Sequence, residues 1–309
     1  MSTTSAVKAP SPQQDQEQVK KKIARTNRRL VQPAVFYLII FTQVPFLVTI
    51  VFSTLNWNLL YPNDRGFVGF ENYVNAVKGG ELIPSITATV LITALSVVLS
   101  VLFGLLFAML LNRNLPGRAI ARTLMITPFL LMPAAAALIW KYSMFDSNIG
   151  MVNWLLDLFN LPDVSWSTDY PLITVVTVLT WQFTPFMMLI LLAGLQGQDE
   201  ATLEAAQVDG AGPFRVFTEI TLPHLRMYVE IGVLLGAVII LQVFDPIAIM
   251  TKGTGGTKTL AYLLYERAFI GLDIGEAAAY GVITVVLTII VATIALKTLF
   301  KVFMTGASR

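Results

Sequence analysis

Long apolar runs alternate with shorter polar intervals along most of this chain. Six runs are each long enough to cross a bilayer as a helix, since about 20 apolar residues span the hydrocarbon core. They cover residues 31–55, 85–111, 123–144, 172–195, 227–250 and 277–300. The pattern therefore predicts an all-α membrane protein with six transmembrane helices.

The stretch before the first run has a different character. Residues 1–29 are polar with almost no large apolar side chains, which predicts a disordered tail ahead of a membrane domain at 30–309. The second half of this tail is strongly basic, and next to a span this favours a cytoplasmic anchor over a nucleic-acid site. A secretory signal peptide is disfavoured because its apolar region runs only about 7–15 residues.

The distribution of Lys and Arg predicts the orientation of the chain. The tail, the 112–122 and 196–226 intervals and the C-terminal end together carry 15 of these residues, and the opposite side carries 6. Because basic residues concentrate on the cytoplasmic side, both termini and the 196–226 interval are predicted to be cytoplasmic. The intervals 56–84, 145–171 and 251–276 then face outward.

The composition of the chain excludes several kinds of functional site. Residues of hydrophobic type make up 55% of the chain and charged ones 13%, with a mean hydropathy of +0.70. The absence of cysteine excludes disulfides and thiol catalysis, and the single histidine, His224, excludes a multi-histidine metal site. A net charge of +2 does not indicate a nucleic-acid partner.

The polar interval 196–226 is too regular for an ordinary connection. Residues 199–208 are rich in good helix formers, Gly210 suits a turn, and Pro213 suits the first turn of a second short helix. Ile220, Leu222 and Pro223 are expected to end that helix. The interval is therefore predicted to form a helix–turn–helix outside the bilayer.

The same interval carries a spaced motif. It reads EAA, three residues, G, nine residues, I-x-L-P, with residues Glu204, Ala205, Ala206, Asp209, Gly210, Ala211, Ile220, Leu222 and Pro223. This resembles the EAA loop of permease subunits in bacterial ATP-binding-cassette (ABC) importers. The resemblance covers about residues 31–303 and implies a type I ABC importer architecture. It also implies that the loop docks on an ATPase subunit, with Glu204 pairing with a basic group there.

Other stretches resemble the permeases of this family that import carbohydrates. Phe67-Val68-Gly69-Phe70-Glu71-Asn72-Tyr73 is similar to their FxGxxNY stretch, and Gln242-Val243-Phe244-Asp245 with the later Gly255-Gly256 is typical of them. The interval 145–171 is acidic and contains Trp154 and Trp166. It is interpreted either as a surface for a binding protein or as a solvated lid.

Polar and aromatic side chains in the later spans are candidates for a substrate pathway, because such groups are costly in lipid and tend to face a cavity or a partner helix. The residues chosen are Trp181, Gln182, Phe186, Gln242, Phe244 and Asp245. Further candidates are Thr180, Thr184, Tyr280 and Thr284. The alternative is that Trp181 and Phe186 only pack and Gln182 only bonds to a partner subunit's helix.

Several patterns are interpreted structurally. Glu230 is assigned to a wetted surface, and Gly232 and Gly236 form a GxxxG that allows close helix packing. Residues 253–259 do not match the phosphate-binding P-loop pattern, because that pattern requires glycine before the lysine and here Thr257 precedes Lys258. They are expected to be a flexible turn. Prolines expected to kink their spans are Pro128, Pro133, Pro185 and Pro246.

The resemblance implies an importer subunit without enzymatic activity or a cofactor of its own, since ATP and Mg²⁺ are bound by partner ATPase subunits. The implied partners are a second permease subunit in a heterodimer, two ATP-binding subunits, an extracytoplasmic solute-binding protein and the lipid of a bacterial inner membrane. No span carries Lys or Arg at mid-depth, which favours a neutral sugar, oligosaccharide or sugar alcohol.

Three alternatives remain open at this point. Glycerol-3-phosphate permeases share the implied architecture. A secondary transporter would need an ion site, for which Asp245 and Glu230 are the only material. An intramembrane enzyme would need a catalytic dyad or metal cluster, for which the single histidine leaves little basis.

Overall fold

The computed structural model describes residues 12–113 and 116–306, with side chains from 31–113 and 116–297. Two units are distinguished, residues 1–52 and 53–309. In the first, a single helix α1 (Pro12–Phe52) includes the apolar stretch Val31–Phe52. The disorder expected for 1–29 is thus replaced by helix over residues 12–29, where Gln, Glu and Lys are good helix formers; residues 1–11 lie outside the described residues.

The second unit opens with a small hairpin. Strand β1 (Leu55–Asn56) pairs antiparallel with β2 (Gly66–Phe67), and helix α2 (Glu71–Lys78) follows. Asn72 Nδ2 donates to the carbonyls of Ser53 and Leu55, both at 2.9 Å, and the Tyr73 and Ser53 hydroxyls lie 2.6 Å apart. The Asn-Tyr pair of the FxGxxNY stretch therefore holds this hairpin in place.

Five helices of the described chain are long and apolar enough to cross a membrane, or six if one bent pair is one span. After α1 they include α3 (Leu82–Asn112), α8 (Pro171–Gln196), the continuous helix Pro213–Ile240, and α13 (Ile274–Gly306). The bent pair is α4 (Arg118–Leu130) with α5 (Pro133–Ile139) and the π-helical turn Trp140–Met144. The remaining helices are α6 (Met151–Asp157), α7 (Trp166–Asp169), α9 (Glu200–Val208) and α12 (Leu260–Tyr265).

Two predicted spans differ from the structure. The third, predicted as one span over 123–144 with kinks at Pro128 and Pro133, bends by 102° between Leu130 and Pro133 and so forms two helices. Pro133 is the first residue of α5, where its missing N–H costs nothing, so proline allows a break here. The fifth, predicted over 227–250, ends as an α-helix at Ile240 and resumes as a π-helical turn at Ile247–Thr251. Pro185, by contrast, lies within α8 and does not end it.

The second helix of the 196–226 interval is not short. α10 (Pro213–Val216) continues through a π-helical turn, Phe217–Thr221, into α11 (Leu222–Ile240). The prediction that Ile220, Leu222 and Pro223 end it is wrong. The wide turn explains why: Leu222 N–H bonds to Phe217 O, and such a bulge absorbs the donor that Pro223 lacks.

Helix α8 is the centre of the second unit. Val175, Leu179, Met187 and Met188 on it are almost fully buried. Met187 also contacts Gly104 of α3, and its sulfur would lie 3.0 Å from a Cβ built on Gly232 of α11. Gly236 lies against the end of the same Met187 side chain, so the close packing predicted for the GxxxG is confirmed.

The glycine-rich segment after the fifth span is a turn, as expected, and several hydrogen bonds hold it. The Thr251 and Thr257 hydroxyls lie 2.7 Å apart, and the Thr257 hydroxyl also donates to Thr254 O at 2.7 Å. Thr259 caps α12 by accepting a hydrogen bond from Tyr262 N. Four residues of this turn have positive φ, three of them glycines, which explains the glycine content.

Candidate functional site

The first candidate region is residues 196–226, which we call the coupling loop. Its helix α9 begins at Asp199, whose side chain accepts from Ala201 N at 3.0 Å and from the Thr202 hydroxyl at 3.2 Å. Such an N-cap satisfies donors that the first helical turn leaves open. The start of α9 is therefore fixed by its own sequence.

The end of α9 is a Schellman motif. Ala211 N–H bonds to Ala206 O at 2.9 Å and Gly210 N–H to Gln207 O at 3.0 Å. The motif needs a left-handed residue at its centre, and Gly210 has φ +80°. The structure thus gives Ala206, Asp209, Gly210 and Ala211 of the motif a common role in ending α9 and reversing the chain.

Much of the coupling loop is exposed at the surface of the protein. Glu204 and Ala205 are exposed on α9, and Val208 and Phe214 are 87% and 79% exposed. Large apolar side chains at this exposure are common at contact surfaces when they lie together. Behind α9, a groove of about 520 Å³ separates it from the ends of α3 and α8 and is lined by Met109, Gln198, Leu203 and Phe217 among others.

Close contacts hold the base of this loop. His224 Nε2 lies 3.0 Å from Gly194 O, and Gln198 and Thr221 side chains meet at 3.4 Å. A Cβ at Gly194 would lie 2.7 Å from atoms of Leu225, so α8 and α11 approach closely here. The two ends of the loop are therefore joined where α8 and α11 pack together.

The pathway candidates do not line one common cavity. Trp181 borders a mostly apolar cavity of about 610 Å³ between α3, α4 and α8, together with Thr180 and Thr184. Its ring lies edge-on to Trp140 at 5.6 Å. Phe186 instead stacks on Phe129 at 5.2 Å, as the packing alternative expects.

Gln182 is placed at the bend of the third span. It is only 3% exposed, and its Nε2 donates to Leu131 O at 3.0 Å, in the gap between α4 and α5. Its Oε1 is buried without a hydrogen-bond partner among the described residues. Gln182 therefore supports the bend, since this carbonyl has no helical partner at a helix end.

Replacing Gln182 with methionine is expected to destabilise the protein by about 1–3 kcal/mol, because the Leu131 carbonyl loses its donor away from water. The melting temperature of the detergent-purified chain would measure this. Gln242→Met is the matched control, since Gln242 is exposed and its Nε2 only reaches Val238 O, four residues earlier, at 3.3 Å. Equal melting temperatures for the two variants would contradict the supporting role.

Gln242, Phe244 and Asp245 lie together where α11 breaks before the π-helical turn Ile247–Thr251. Phe244 is half-buried and meets the ring of Tyr265 at 4.9 Å and that of Tyr262 at 6.2 Å. Tyr280 is fully buried among apolar side chains, and the Thr284 hydroxyl bonds to Tyr280 O at 2.8 Å. Both of these further candidates therefore contact neighbouring groups of the protein.

Glu230 and Lys141 each have a partner within the protein. Glu230 was assigned to a wetted surface, but its side chain is 16% exposed and accepts from Arg226 at 3.0 Å. Lys141 donates to Ile249 O at 2.6 Å and so joins the third span to the π-helical turn of the fifth. Among the described residues, no group of three or more His, Cys, Asp or Glu is arranged to hold a metal ion.

The side-chain amide of Asn153 holds together the predicted second outer loop, residues 145–171. Asn153 Nδ2 donates to Ser147 O and Val164 O at 3.2 and 3.0 Å, and its Oδ1 accepts from Trp166 Nε1 at 2.8 Å. Trp154 stays exposed. Trp166 is thus structural, and whether the loop is a docking surface or a solvated lid stays a prediction.

An ion-pair cluster on the predicted outer side was missed by sequence reasoning. Glu81 contacts Lys258 at 3.1 Å and also Arg267, while Lys258 contacts Glu266 at 2.7 Å and Arg267 lies 3.6 Å from Glu276. The cluster joins the start of α3 to the segment after the glycine turn and to α13. No sequence signal reveals it, because Glu81 lies 177 residues from Lys258 in the chain.

Burial raises the pKa of Glu81, but hydrogen bonds and charges from Lys258 and Arg267 outweigh this and hold the pKa below its ordinary value of 4.5. Burial likewise lowers the pKa of Lys258, but its contacts with Glu266 and Glu81 dominate and raise the pKa above 10.5. The Glu81 contribution to stability is therefore present above pH 4.5 and lost as the pH falls through the lowered folded pKa. The Lys258 contribution is present below pH 10.5 and lost as the pH rises through the raised one.

Glu81→Gln is accordingly expected to lower the melting temperature near neutral pH and to flatten its fall in acid. Because these side chains are about one-third exposed, each pair contributes roughly 0.2–1 kcal/mol. A melting series from neutral to acid pH, with the exposed Glu71→Gln as control, would test this. If the melting temperature of Glu81→Gln fell in acid as steeply as that of the unaltered protein, the ion-pair cluster would not be the cause of the acid sensitivity.

The family of this chain is shown by its similarity to known proteins. A family model described as binding-protein-dependent transport system inner membrane component matches residues 100–306. The chain belongs to this family. It is a multi-pass membrane protein of permease type, and the resemblance stated from the EAA motif is confirmed.

Individual relatives agree. The chain is 34% identical over 273 residues to the probable ABC transporter permease protein y4oQ of Sinorhizobium fredii, covering 87% of this chain and 88% of that protein. It is 30% identical over 283 residues to the trehalose/maltose transport system permease protein MalF of Thermococcus litoralis, covering 90% and 95%. A crystal structure of a bacterial ABC transporter involved in import of the acidic polysaccharide alginate matches with a TM-score of 0.77 over 92% of this chain and 99% of that one, at 20% identity. This last match shows the type I importer fold.

Proposed function

We propose that this chain is the transmembrane subunit that forms the translocation pathway of an ATP-driven importer for a neutral sugar, oligosaccharide or sugar alcohol. The observation that carries the proposal is α9, a capped and exposed helix at the base of two packed helices in a chain of this permease family. Such a helix suits rigid-body coupling to a partner ATPase.

In this proposal both termini and the coupling loop are cytoplasmic, as the Lys and Arg distribution predicts. The partners are a second permease subunit, two ATP-binding subunits that hold ATP and Mg²⁺, and an extracytoplasmic solute-binding protein. ATP binding closes the ATPase subunits, α9 moves with them, and the close contact of Gly194 with Leu225 passes the movement to α8 and α11. The pathway then opens outward to accept substrate.

The preference for a neutral substrate is supported by the cations on the predicted outer side. Lys258 and Arg267 are paired with carboxylates, so their charges are already compensated, and Lys141 donates to Ile249 O. The relative named for trehalose and maltose transport supports a carbohydrate. A glycerol-3-phosphate permease is the alternative.

The test is the ATPase activity of the chain purified with its native companions, with and without the cognate binding protein. Trehalose, maltose, a sugar alcohol and sn-glycerol 3-phosphate are supplied in turn. Stimulation by a neutral sugar or polyol is expected. Stimulation by sn-glycerol 3-phosphate alone would support the alternative, and uptake by the chain without any ATPase subunit would indicate a secondary transporter.

A further inference from the structure

Four aromatic rings form a continuous row on the predicted outer side. The ring row consists of Phe244, Tyr262, Tyr265 and Phe269. Tyr265 lies 4.9 Å from Phe244 and 5.4 Å from Phe269, and Tyr262 lies 6.2 Å from Phe244 between centroids. Exposure rises along the row, from 7% at Tyr262 to 70% at Phe269. The row therefore leads from the packed interior to an open ring face.

Local structure aligns the row. Tyr265 ends α12, and the π-helical turn Glu266–Ile270 that follows places Phe269 beside it in a stacked arrangement at 30°. Near the inner end, Phe244 lies beside Tyr262 and Tyr265 at the break after α11, next to Asp245. The predicted pathway residues Phe244 and Asp245 thus lie beside the rings of Tyr265 and Phe269, which come from a later part of the chain.

Polar groups without protein partners flank the rings. The side chain of Asp245 is half-buried and forms no hydrogen bond or ion pair with another described residue, and the hydroxyls of Tyr262 and Tyr265 form no such hydrogen bond. Gln242 is exposed and uses only its Nε2, towards Val238 O. Carboxylate and amide oxygens accept hydrogen bonds from hydroxyl groups, and ring faces offer flat apolar area.

We propose that the ring row is a binding site for a pyranose ring at the outer entrance of the pathway, a site that rests on the proposed function. Phe269 and Tyr265 offer the stacking face to the C–H side of the sugar. Asp245 and Gln242 then accept hydrogen bonds from its hydroxyls further in, near Phe244.

A lipid contact is the competing occupant, because exposed aromatic residues also anchor proteins at membrane surfaces. The surroundings argue against it. Asp245 stands at the inner end of the row, and Glu266, which follows Tyr265, is held in the ion-pair cluster by Lys258. Carboxylates on both sides of a ring row are costly beside lipid but suit a hydrated, hydroxyl-rich ligand.

The chain has no cysteine, which permits a direct test in the full importer complex reconstituted into vesicles. Ile270→Cys places one thiol beside Phe269, and Leu158→Cys places one at a similarly exposed site in the predicted second outer loop. The rate of labelling by a water-soluble thiol reagent is measured with trehalose, maltose or sn-glycerol 3-phosphate present. A disaccharide is expected to slow labelling at Ile270→Cys and not at Leu158→Cys.

Ring variants then separate binding from folding. In the Ile270→Cys background, Phe269→Ala and Tyr265→Ala are expected to lose the protection, while Phe269→Tyr and Tyr265→Phe keep it because the ring face remains. In uptake, each alanine variant is expected to raise KM about 2- to 12-fold with kcat unchanged. Tyr61→Ala, at an exposed aromatic of the predicted first outer loop, is the control and is expected to change neither.

The failure of this site and the failure of the proposed function are distinguishable. If a disaccharide is taken up but does not slow labelling at Ile270→Cys, the ring row is not a sugar site, and the proposed importer function is unaffected. Protection that survives both alanine variants would also overturn the ring row as a sugar site. Slow labelling at Ile270→Cys that no sugar changes would instead identify a lipid contact, and uptake and protection by sn-glycerol 3-phosphate alone would overturn both proposals.

Discussion

Gly210→Val is expected to assemble normally and to lose most of its ATP-driven transport. Gly210 has φ +80°, in the left-handed region that closes the Schellman motif of α9. An L-residue there costs about 1–2 kcal/mol, and a β-branched one is a more severe outlier. A cost of about 1.4 kcal/mol already corresponds to a tenfold shift in an equilibrium. The turn is therefore expected to open and α9 to lose its fixed direction.

The effect should fall on coupling and not on folding, because no neighbouring atom lies within 4 Å of a Cβ built at Gly210. The contacts at the base of the loop, between His224 and Gly194 and between Gln198 and Thr221, are left in place. Under the proposed function, the reconstituted complex should keep ATPase activity while uptake falls about tenfold or more.

Two matched variants sharpen this result. Gly210→Asn is expected to retain more transport, because asparagine tolerates the left-handed region. Gly212→Ala should transport nearly normally, since Gly212 has φ −68° and open space around it. Normal uptake by Gly210→Val at normal expression would refute the coupling role of this turn.

The coupling loop shows how much of the site the sequence contains. Its first helix, the glycine turn and the proline start are local features, set by Asp199, Gly210 and Pro213 within a few residues of the groups they serve. All three were predictable from residue type. The continuation through Pro223 was not, because a π-helical turn is a small change in hydrogen bonding that leaves no apolar period to detect.

The bend of the third span shows the opposite case. Pro128 and Pro133 signal a weak point in a helix, but the 102° angle depends on what receives the freed backbone groups. Here Gln182 meets Leu131 O from 51 residues away. Apolar length predicts that a segment crosses the membrane, whereas its shape depends on such distant partners.

The predicted outer side was the least predictable region. Its hairpin and ion-pair cluster contact segments from the other end of the second unit, as when Asn58 Nδ2 donates to Asp273 at 3.2 Å across 215 residues. Phe244 and Asp245 were chosen from the sequence as pathway residues. Tyr265 and Phe269 were not, because only the folded chain places them in line with Phe244.

Gly104→Leu is expected to prevent the membrane domain from folding. A Cβ at Gly104 would lie 2.7 Å from Met187 Cβ and 2.9 Å from Met188 N, so it would meet the stem and backbone of α8 and not a movable side-chain end. Overpacking a tight core costs about 1–3 kcal/mol for small additions. A leucine adds three further carbons at the same point and must separate α3 from α8.

Gly236→Leu is the matched comparison, because its Cβ would meet only the terminal methyl of Met187 and, at 3.8 Å, a methyl of Val97. Met187 has a flexible side chain that can turn aside, so this variant should remain foldable with reduced stability. Yield of monodisperse protein in detergent and its melting temperature would rank the two. Because α8 also supports the coupling loop and contacts the bend at Leu131, separation of α3 from α8 should abolish transport together with folding. Equal yields for both variants would show that the α3–α8 contact at Gly104 is not the tight point of this fold.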